Sequence, residues 1–176
     1  EFRKVPDFDD NMMTFVIAGF PNVGKSQFLT RISKAEPEVA AYPFTTKGIE
    51  VGIHEARYRR YQVIDTPGLL DRELGDRNRI EMQAVTALKH LANAILFILD
   101  PSETCGYHME SQLRLMDSVR ELFPGVPILV VENKVDILDS GSDRLKMSAA
   151  SGAGVPEVMA ALRDSVKHLE KDEALF

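Results

Sequence analysis

Residues 19–26 read Gly-Phe-Pro-Asn-Val-Gly-Lys-Ser, and this stretch decides the fold class. It matches the pattern G-x-x-x-x-G-K-S/T, in which the backbone N–H groups of a glycine-rich loop surround phosphate oxygens. An apolar, β-prone run at 12–18 precedes the loop, and residues 27–32 can continue as a helix after it. Strand, loop and helix in this order predict a phosphate-binding loop, here called the P-loop, in an α/β domain.

The residues of the P-loop have different expected roles. Lys25 is expected to reach the β- and γ-phosphates, and the hydroxyl of Ser26 is expected to bind Mg²⁺. The helix that begins here points the positive end of its dipole at the anion. The residues of this loop predicted to contact the nucleotide are Pro21, Asn22, Val23, Gly24, Lys25, Ser26 and Gln27.

A second motif, Asn133-Lys134-Val135-Asp136, indicates which base is bound. It follows the apolar run 127–131, so it lies at the carboxyl end of a strand, where α/β folds bind ligands. The carboxylate of Asp136 can accept hydrogen bonds from N1–H and the exocyclic amino group of guanine, whereas adenine offers no donors there. The sequence therefore predicts a guanine nucleotide, GTP or GDP.

Other residues are expected to complete the base site. Asn133 can bond both the guanine edge and the P-loop, and the stem of Lys134 can cover one face of the base. A further short strand ends in Met-Ser-Ala, and the backbone N–H groups of Ser148 and Ala149 are expected to donate to guanine O6.

The stretch Asp65-Thr66-Pro67-Gly68 follows a third strand-like run and is predicted to face the P-loop. Asp65 is expected to hold Mg²⁺ through water, and Gly68, with a free backbone N–H, to sense the γ-phosphate. A threonine hydroxyl is expected to complete the Mg²⁺ shell. Thr46 is preferred for this role over Thr45, its neighbour in sequence.

Four longer stretches resemble the nucleolar GTP-binding protein family and its archaeal relatives, within the Obg superfamily of translation-factor-related P-loop GTPases. They are residues 42–47, 62–68, 77–84 and 100–107. The last of these, Asp-Pro-Ser-Glu-Thr-Cys-Gly-Tyr, is more specific to the family than the nucleotide motifs. The resemblance implies a GTPase that acts in maturation of the large ribosomal subunit, through regions outside this stretch of chain.

Two residues bear on the rate of hydrolysis. Leu69 stands where Ras-like enzymes keep a Gln that orients the attacking water, and leucine has no donor or acceptor for that task. A slow intrinsic rate is therefore expected, and a scaffold that signals by nucleotide occupancy remains the alternative. In GTPases with similar loops the Asn at position 22 can ligate K⁺, so Asn22 joins Lys25, Thr46 and Gly68 as candidate catalytic residues.

Composition sets the broad class. The chain has 176 residues, a hydrophobic fraction of 44% and a net charge of −6. We expect a single domain over 12–176, preceded by a linker or N-terminal remnant at 1–11. The acidic balance gives no evidence for direct nucleic-acid binding by this part, and no membrane contact is expected. The lone Cys105 suits a cytoplasmic location, or a nucleolar one in a eukaryote.

The order of predicted elements indicates a doubly wound α/β sheet, and the resemblance implies that it is a Ras-like G domain. Strands are expected near 12–18, 48–55, 59–65, 94–100, 127–133 and 144–148, and helices near 25–34, 78–91, 109–123 and 156–172. This alternation predicts a mixed, mostly parallel six-stranded sheet flanked by helices. The second and third strands must pair antiparallel because their connection is short. The link 137–143 is too short and polar for the helix that small GTPases usually place there.

Overall fold

A computed structural model describes residues 12–45, 48–73, 75 and 77–169 of the chain. Within these residues it has seven strands and four helices. The strands are β1 (Thr14–Ala18), β2 (Glu38–Ala40), β3 (Ile49–Ala56), β4 (Arg59–Asp65), β5 (Ala94–Leu99), β6 (Ile128–Glu132) and β7 (Leu145–Lys146). The helices are α1 (Lys25–Ile32), α2 (Arg79–Leu91), α3 (Met109–Leu122) and α4 (Val155–Ser165).

The strands form one mixed sheet in the order β2-β3-β4-β1-β5-β6-β7. From β4 to β7 every neighbouring pair is parallel, whereas β3 pairs antiparallel with both β2 and β4. The predicted mixed, mostly parallel sheet and its hairpin are thereby confirmed. The sheet has one strand more than the six predicted, because the short segment 38–40 pairs with Val51, Glu50 and Ile49 of β3.

The core lies on the central strands and on one stripe of each helix. Every residue of β1 and β5 is buried, as expected for parallel strands covered on both faces. In α4 the buried residues are Val155, Val158, Met159 and Leu162, which recur at the three- and four-residue spacing of one helical face. The helices therefore pack against the sheet and hold in place the strands from which the connecting loops extend.

The connection between β6 and β7 contains no helix within the described residues, as the sequence predicted. The buried Glu132, at the end of β6, organises it instead. Its carboxylate accepts hydrogen bonds from the hydroxyls of Ser140 and Ser142, the latter at 2.8 Å, and from Nη1 of Arg144 at 3.2 Å. One buried carboxylate thus ties the residues before β7 to the end of β6.

The predicted N-terminal linker, residues 1–11, lies outside the described residues, as does Thr46. Among the residues that are described, none of the helices combines the length and apolar character that crossing a bilayer requires.

Candidate nucleotide-binding site

The carboxyl ends of four parallel strands meet at one edge of the sheet, where α/β folds bind ligands. The P-loop follows β1, Asp65 ends β4, Asp100 follows β5, and Asn133 follows β6. The sequence-predicted phosphate and base motifs are therefore neighbours in space, although more than 100 residues separate the P-loop from Asn133 along the chain.

A cavity of about 300 Å³ lies between the P-loop and the end of β4. Residues that line it are Pro21, Asn22, Gly24, Lys25, Ser26, Gln27, Asp65, Pro67 and Asp71. Most of the predicted phosphate-contacting residues thus surround one space. The exception is Val23, whose side chain is fully buried, so only its backbone can face a ligand.

Lys25 is buried at the floor of the P-loop. Its Nζ donates to the carbonyl oxygens of Gly19, at 2.6 Å, and Phe20, at 3.0 Å. Burial lowers the pKa of Lys25, and the carboxylates of Asp65 and Asp71 act in the opposite direction. The ammonium is therefore a poorly solvated cation at the cavity, a place where an anionic phosphate gains most from it.

Asp65 is a buried carboxylate with an unused acceptor. The side chain is 3% exposed, and its Oδ1 has no hydrogen-bond partner among the described residues. Burial raises the pKa of Asp65 to about 6, even though the charge of Lys25 opposes the rise. An orphaned carboxylate oxygen beside an exposed Ser26 hydroxyl offers the hard oxygen donors that Mg²⁺ prefers. The residues present therefore fit the predicted metal.

Gly68 differs from its prediction in one respect. Its backbone N–H is not free, because it donates to Oδ2 of Asp71 at 2.9 Å. Its carbonyl oxygen accepts from Nη1 of Arg77 at 3.0 Å. The φ angle of Gly68 is +86°, a left-handed conformation that favours glycine. The chain turns after Gly68, and this turn brings the Asp71 carboxylate to the Gly68 N–H.

Asn133 joins the base motif to the P-loop. Its Nδ2 donates to the carbonyl of Val23 at 2.8 Å, and its Oδ1 accepts from the N–H of Ala149 at 2.9 Å. This docking explains Gly24, since a Cβ atom there would stand 2.1 Å from Asn133 Nδ2, and its φ is +112°. A side chain at position 24 would force the two motifs apart.

Lys134 makes a second bridge between the motifs. Its Nζ donates to the carbonyl of Asn22 at 2.9 Å, to Oδ2 of Asp100 at 2.8 Å and to the hydroxyl of Thr104 at 2.8 Å. Asp100 is fully buried. Burial acts to raise its pKa, but the hydrogen bonds from Lys134, Ser102 and the Cys105 N–H outweigh burial and lower the pKa.

The family-specific stretch 100–107 is therefore part of the wall of the site. Gln112 of α3 accepts from the Asp100 N–H at 2.7 Å and donates to the carbonyls of Asp100 and Tyr107, both at 2.9 Å. The ring of Tyr107 stacks on Phe20 of the P-loop, with 4.1 Å between centroids. In the sequence, only its resemblance to the family singled out this stretch, and that resemblance did not predict its contacts.

Asp136 is exposed at the end of the base motif, as a base-reading carboxylate must be. The prediction that the Ser148 and Ala149 N–H groups donate to guanine O6 stays a prediction, and in this structure both groups have protein acceptors. The Ser148 N–H donates to the carbonyl of Ala153 at 2.8 Å, and the Ala149 N–H is used by Asn133. The Ser148 amide closes the turn after β7, whereas the Ala149 amide joins that turn to the base motif.

Thr45 and Leu69 have local roles in the structure. The Thr45 hydroxyl donates to the carbonyl of Tyr42 at 2.8 Å, so it is engaged in a turn. The side chain of Leu69 is buried in the core, so it offers nothing to a water in the cavity. Sequence reasoning missed Asp71 and Arg77 as site residues, since neither belongs to a nucleotide motif.

Comparisons with known proteins agree with this geometry. A sequence model of the nucleolar GTP-binding protein 1 family matches residues 79–136. Nucleolar GTP-binding protein 1 of Drosophila melanogaster is 49% identical over 135 residues, which are 77% of this chain and 21% of that protein. The Arabidopsis thaliana protein of the same name is 42% identical over 167 residues, 93% of this chain and 25% of that protein. The chain thus spans about a fifth to a quarter of the length of these curated relatives.

Solved structures give the same picture. A Plasmodium falciparum protein described as a nucleolar GTP-binding protein 1 superposes with a TM-score of 0.84 at 32% identity, covering 96% of this chain and 93% of that one. The G domain of the FeoB iron transporter of T. maritima superposes with a TM-score of 0.71 at 21% identity, covering 89% and 99%. The second likeness shows a shared G-domain fold.

Proposed function

The chain belongs to the nucleolar GTP-binding protein 1 family, and we propose that it is the GTPase domain of a slow, Mg²⁺-dependent conformational switch. Family membership implies binding of a guanine nucleotide. The observation that carries the proposal is the double bridge between the P-loop and the base motif. Asn133 donates to the Val23 carbonyl and Lys134 donates to the Asn22 carbonyl, so the phosphate-binding and base-binding motifs are joined in one site.

Guanine selection rests on Asp136. Its exposed carboxylate accepts hydrogen bonds from the two donors of the guanine edge, and the Lys134 stem covers a face of the base. Asp136→Asn should weaken GTP and strengthen xanthosine triphosphate, because an amide can donate to the additional xanthine oxygen. Competition among GTP, ATP and xanthosine triphosphate for a fluorescent GDP measures this. A variant that binds GTP as tightly as the parent would show that Asp136 does not read the base.

The metal would be held by Asp65 and Ser26, with Thr46 as the predicted third residue. When bound, Mg²⁺ supplies positive charge that offsets the phosphates and aligns them. Lys25, at the floor of the same cavity, binds and orients the phosphates. Ser26→Ala and Lys25→Ala should each weaken Mg²⁺-dependent triphosphate binding by more than ~1 kcal/mol, or about fivefold in Kd.

Hydrolysis is slow in this proposal because Leu69 gives the attacking water no hydrogen-bond partner. Asn22 is the proposed K⁺ ligand. Its φ of +68° places it at a sharp turn whose carbonyl Lys134 already uses, which leaves its side chain as the group to bind a cation. The alternative is a scaffold without hydrolysis, favoured by the buried Leu69. Single-turnover hydrolysis in K⁺ and in Na⁺ separates the two.

The cellular role extends beyond this stretch of chain. We propose a role in assembly of the large ribosomal subunit. Relatives named nucleolar GTP-binding protein 1 support the nucleolus as its location where the host is a eukaryote. Contacts with the pre-ribosomal particle are assigned to regions outside this domain, because the chain covers about a fifth of those relatives. Co-purification of the full-length protein with ribosomal precursors tests this. Absence of precursors from a nucleotide-loaded preparation would count against it.

A further inference from the structure

The backbone N–H and carbonyl oxygen of Gly68 are each held by a side chain from the same loop. Asp71 Oδ2 accepts its N–H at 2.9 Å, and Arg77 Nη1 donates to its carbonyl oxygen at 3.0 Å. The side chain of Arg77 is fully buried, and its Nη2 also bonds the carbonyl of Arg72 at 3.3 Å. Gly68 thus has an anionic acceptor for its N–H and a cationic donor for its carbonyl oxygen.

Asp71 also faces the phosphate cavity. It lines that cavity together with Lys25 and Asp65, and it is half-buried. Its negative charge acts on Lys25, on Asp65 and on Arg77. The Asp71 carboxylate therefore interacts with two cations, Lys25 and Arg77, and with one anion, Asp65. It places a negative charge of the protein itself at the phosphate site.

We infer that Asp71 sets the preference of this site between GTP and GDP, by competing with the γ-phosphate for the N–H of Gly68. The inference rests on the proposed function, in which that amide meets the γ-phosphate. One N–H cannot donate fully to two anionic acceptors, and a γ-phosphate brought next to a carboxylate is repelled by it. GDP leaves the bond between Gly68 and Asp71 intact, whereas GTP must displace it.

The surrounding backbone limits the movement that this exchange needs. The Gly19 N–H donates to the carbonyl of Leu70 at 3.0 Å, which ties the loop to the P-loop just before Asp71. The side chains of Leu69 and Leu70 are both buried. Rotation of the Asp71 side chain can therefore free the Gly68 N–H while Leu70 stays in place. Replacement of Asp71 by the γ-phosphate at the Gly68 N–H thereby links GTP binding to Gly68, whose carbonyl oxygen Arg77 binds.

The test compares two affinities in each variant. Dissociation constants for GDP and for a GTP analogue with nitrogen at the β–γ bridge are measured with Mg²⁺ in the parent, Asp71→Asn and Asp71→Ala. Asp71→Ala should raise the ratio Kd(GDP)/Kd(analogue) about tenfold, since both the charge and the acceptor are lost. Asp71→Asn, which keeps an acceptor oxygen, should raise the ratio about threefold.

Glu73→Ala is the matched control. It removes the same charge from the same loop, but Glu73 is exposed and pairs with Arg114 at 3.6 Å, so the ratio should stay within about twofold of the parent. GDP binding shows that each variant is folded, and if Asp71→Ala binds neither nucleotide, Asp71→Asn decides.

Two results would overturn the inference: an unchanged ratio or a ratio that falls. An unchanged ratio together with slower single-turnover hydrolysis would place Asp71 in the chemical step. Failure of the parent to bind any guanine nucleotide would instead refute the proposed function, and the inference with it.

Discussion

Replacing Asp65 by Asn separates what this carboxylate does for the fold from what it does for a ligand. Asp65 is buried, its Oδ1 has no hydrogen-bond partner in the described part of the chain, and burial raises its pKa from an ordinary 3.8 to about 6. Each pKa unit corresponds to ~1.4 kcal/mol, so ionised Asp65 destabilises the fold by about 3 kcal/mol at neutral pH. The cost of a buried, unpaired acceptor, ~1–3 kcal/mol, is of the same size.

The sign of the pH dependence follows from the direction of this shift. The folded state binds the Asp65 proton more tightly than the unfolded state, so the stabilising contribution is present below the unfolded pKa and is lost as the pH rises through about 6. Asn imitates the protonated form at every pH. The two proteins should have similar free energies of unfolding below about pH 4, and Asp65→Asn should be more stable by about 3 kcal/mol above about pH 7.

Urea unfolding followed by circular dichroism, in chelator and without nucleotide, measures this difference across the pH range. The charged groups that face Asp65 are Lys25, Glu50 and Asp71, and they are present in both proteins. Asp117→Asn is the control, because that side chain is 68% exposed and its partner Arg120 is 3.9 Å away. The control should change stability by less than ~0.5 kcal/mol at every pH.

Adding ligand should remove most of the difference in stability between the two proteins. Mg²⁺ and the GTP analogue at a hundredfold excess over Kd should stabilise the parent by ~2.7 kcal/mol, and Asp65→Asn should lose most of that gain. Two results would refute the reasoning. One is an Asp65→Asn protein less stable than the parent at neutral pH without ligand, which would make Asp65 a structural residue. The other is a stability difference that does not depend on pH.

Three further outcomes are expected. Glu132→Gln should lower the free energy of unfolding by ~1–3 kcal/mol at pH 7. Burial acts to raise the pKa of Glu132, but the hydrogen bonds to its carboxylate outweigh burial and lower the pKa. The difference between parent and variant should therefore close as the pH falls through that lowered pKa, which acid unfolding measures. Lys134→Ala should destabilise the fold by ~3 kcal/mol, since it leaves Asp100 buried without its cation, and adding Asp100→Asn should recover part of the loss in urea unfolding. Asn22→Ala should abolish any severalfold K⁺ stimulation of single-turnover hydrolysis while leaving GTP affinity mostly intact; equal rates of the parent in K⁺ and Na⁺ would remove Asn22 from the catalytic list.

The fold was largely predictable because its central strands are continuous apolar runs next to motifs of known context. The runs at 14–18 and 94–99 are buried on both faces, so burial and sequence pattern coincide there. The strand at 38–40 was missed for a physical reason. It has three residues, two of them exposed, and it exists because it pairs with β3 rather than because of its own sequence.

In the site, residue types were predictable and partners were not. The motifs identify Gly68, Ser148 and Ala149 as possible donors, but any non-proline residue carries an N–H. The acceptor is chosen by how loops fold back, as Asp71 does on Gly68 and Ala153 does on Ser148. The motifs give the residue types at their own positions, whereas these two acceptors lie just outside the motifs and depend on the conformation of each loop.

Two ionisable groups, Lys25 and Asp65, lie at the floor of the cavity. Burial disfavours the charged form of each. Burial lowers the pKa of Lys25 and raises that of Asp65, so both charges are costly, and the Lys25 ammonium bonds two carbonyl oxygens rather than the free Oδ1 of Asp65. Mg²⁺ with a nucleotide brings a cation for the carboxylate and an anion for the ammonium at once, so one ligand relieves both. Asp71 alone loses a partner, and only when a γ-phosphate is present. The difference between GTP and GDP is therefore concentrated in the bond between Asp71 and Gly68.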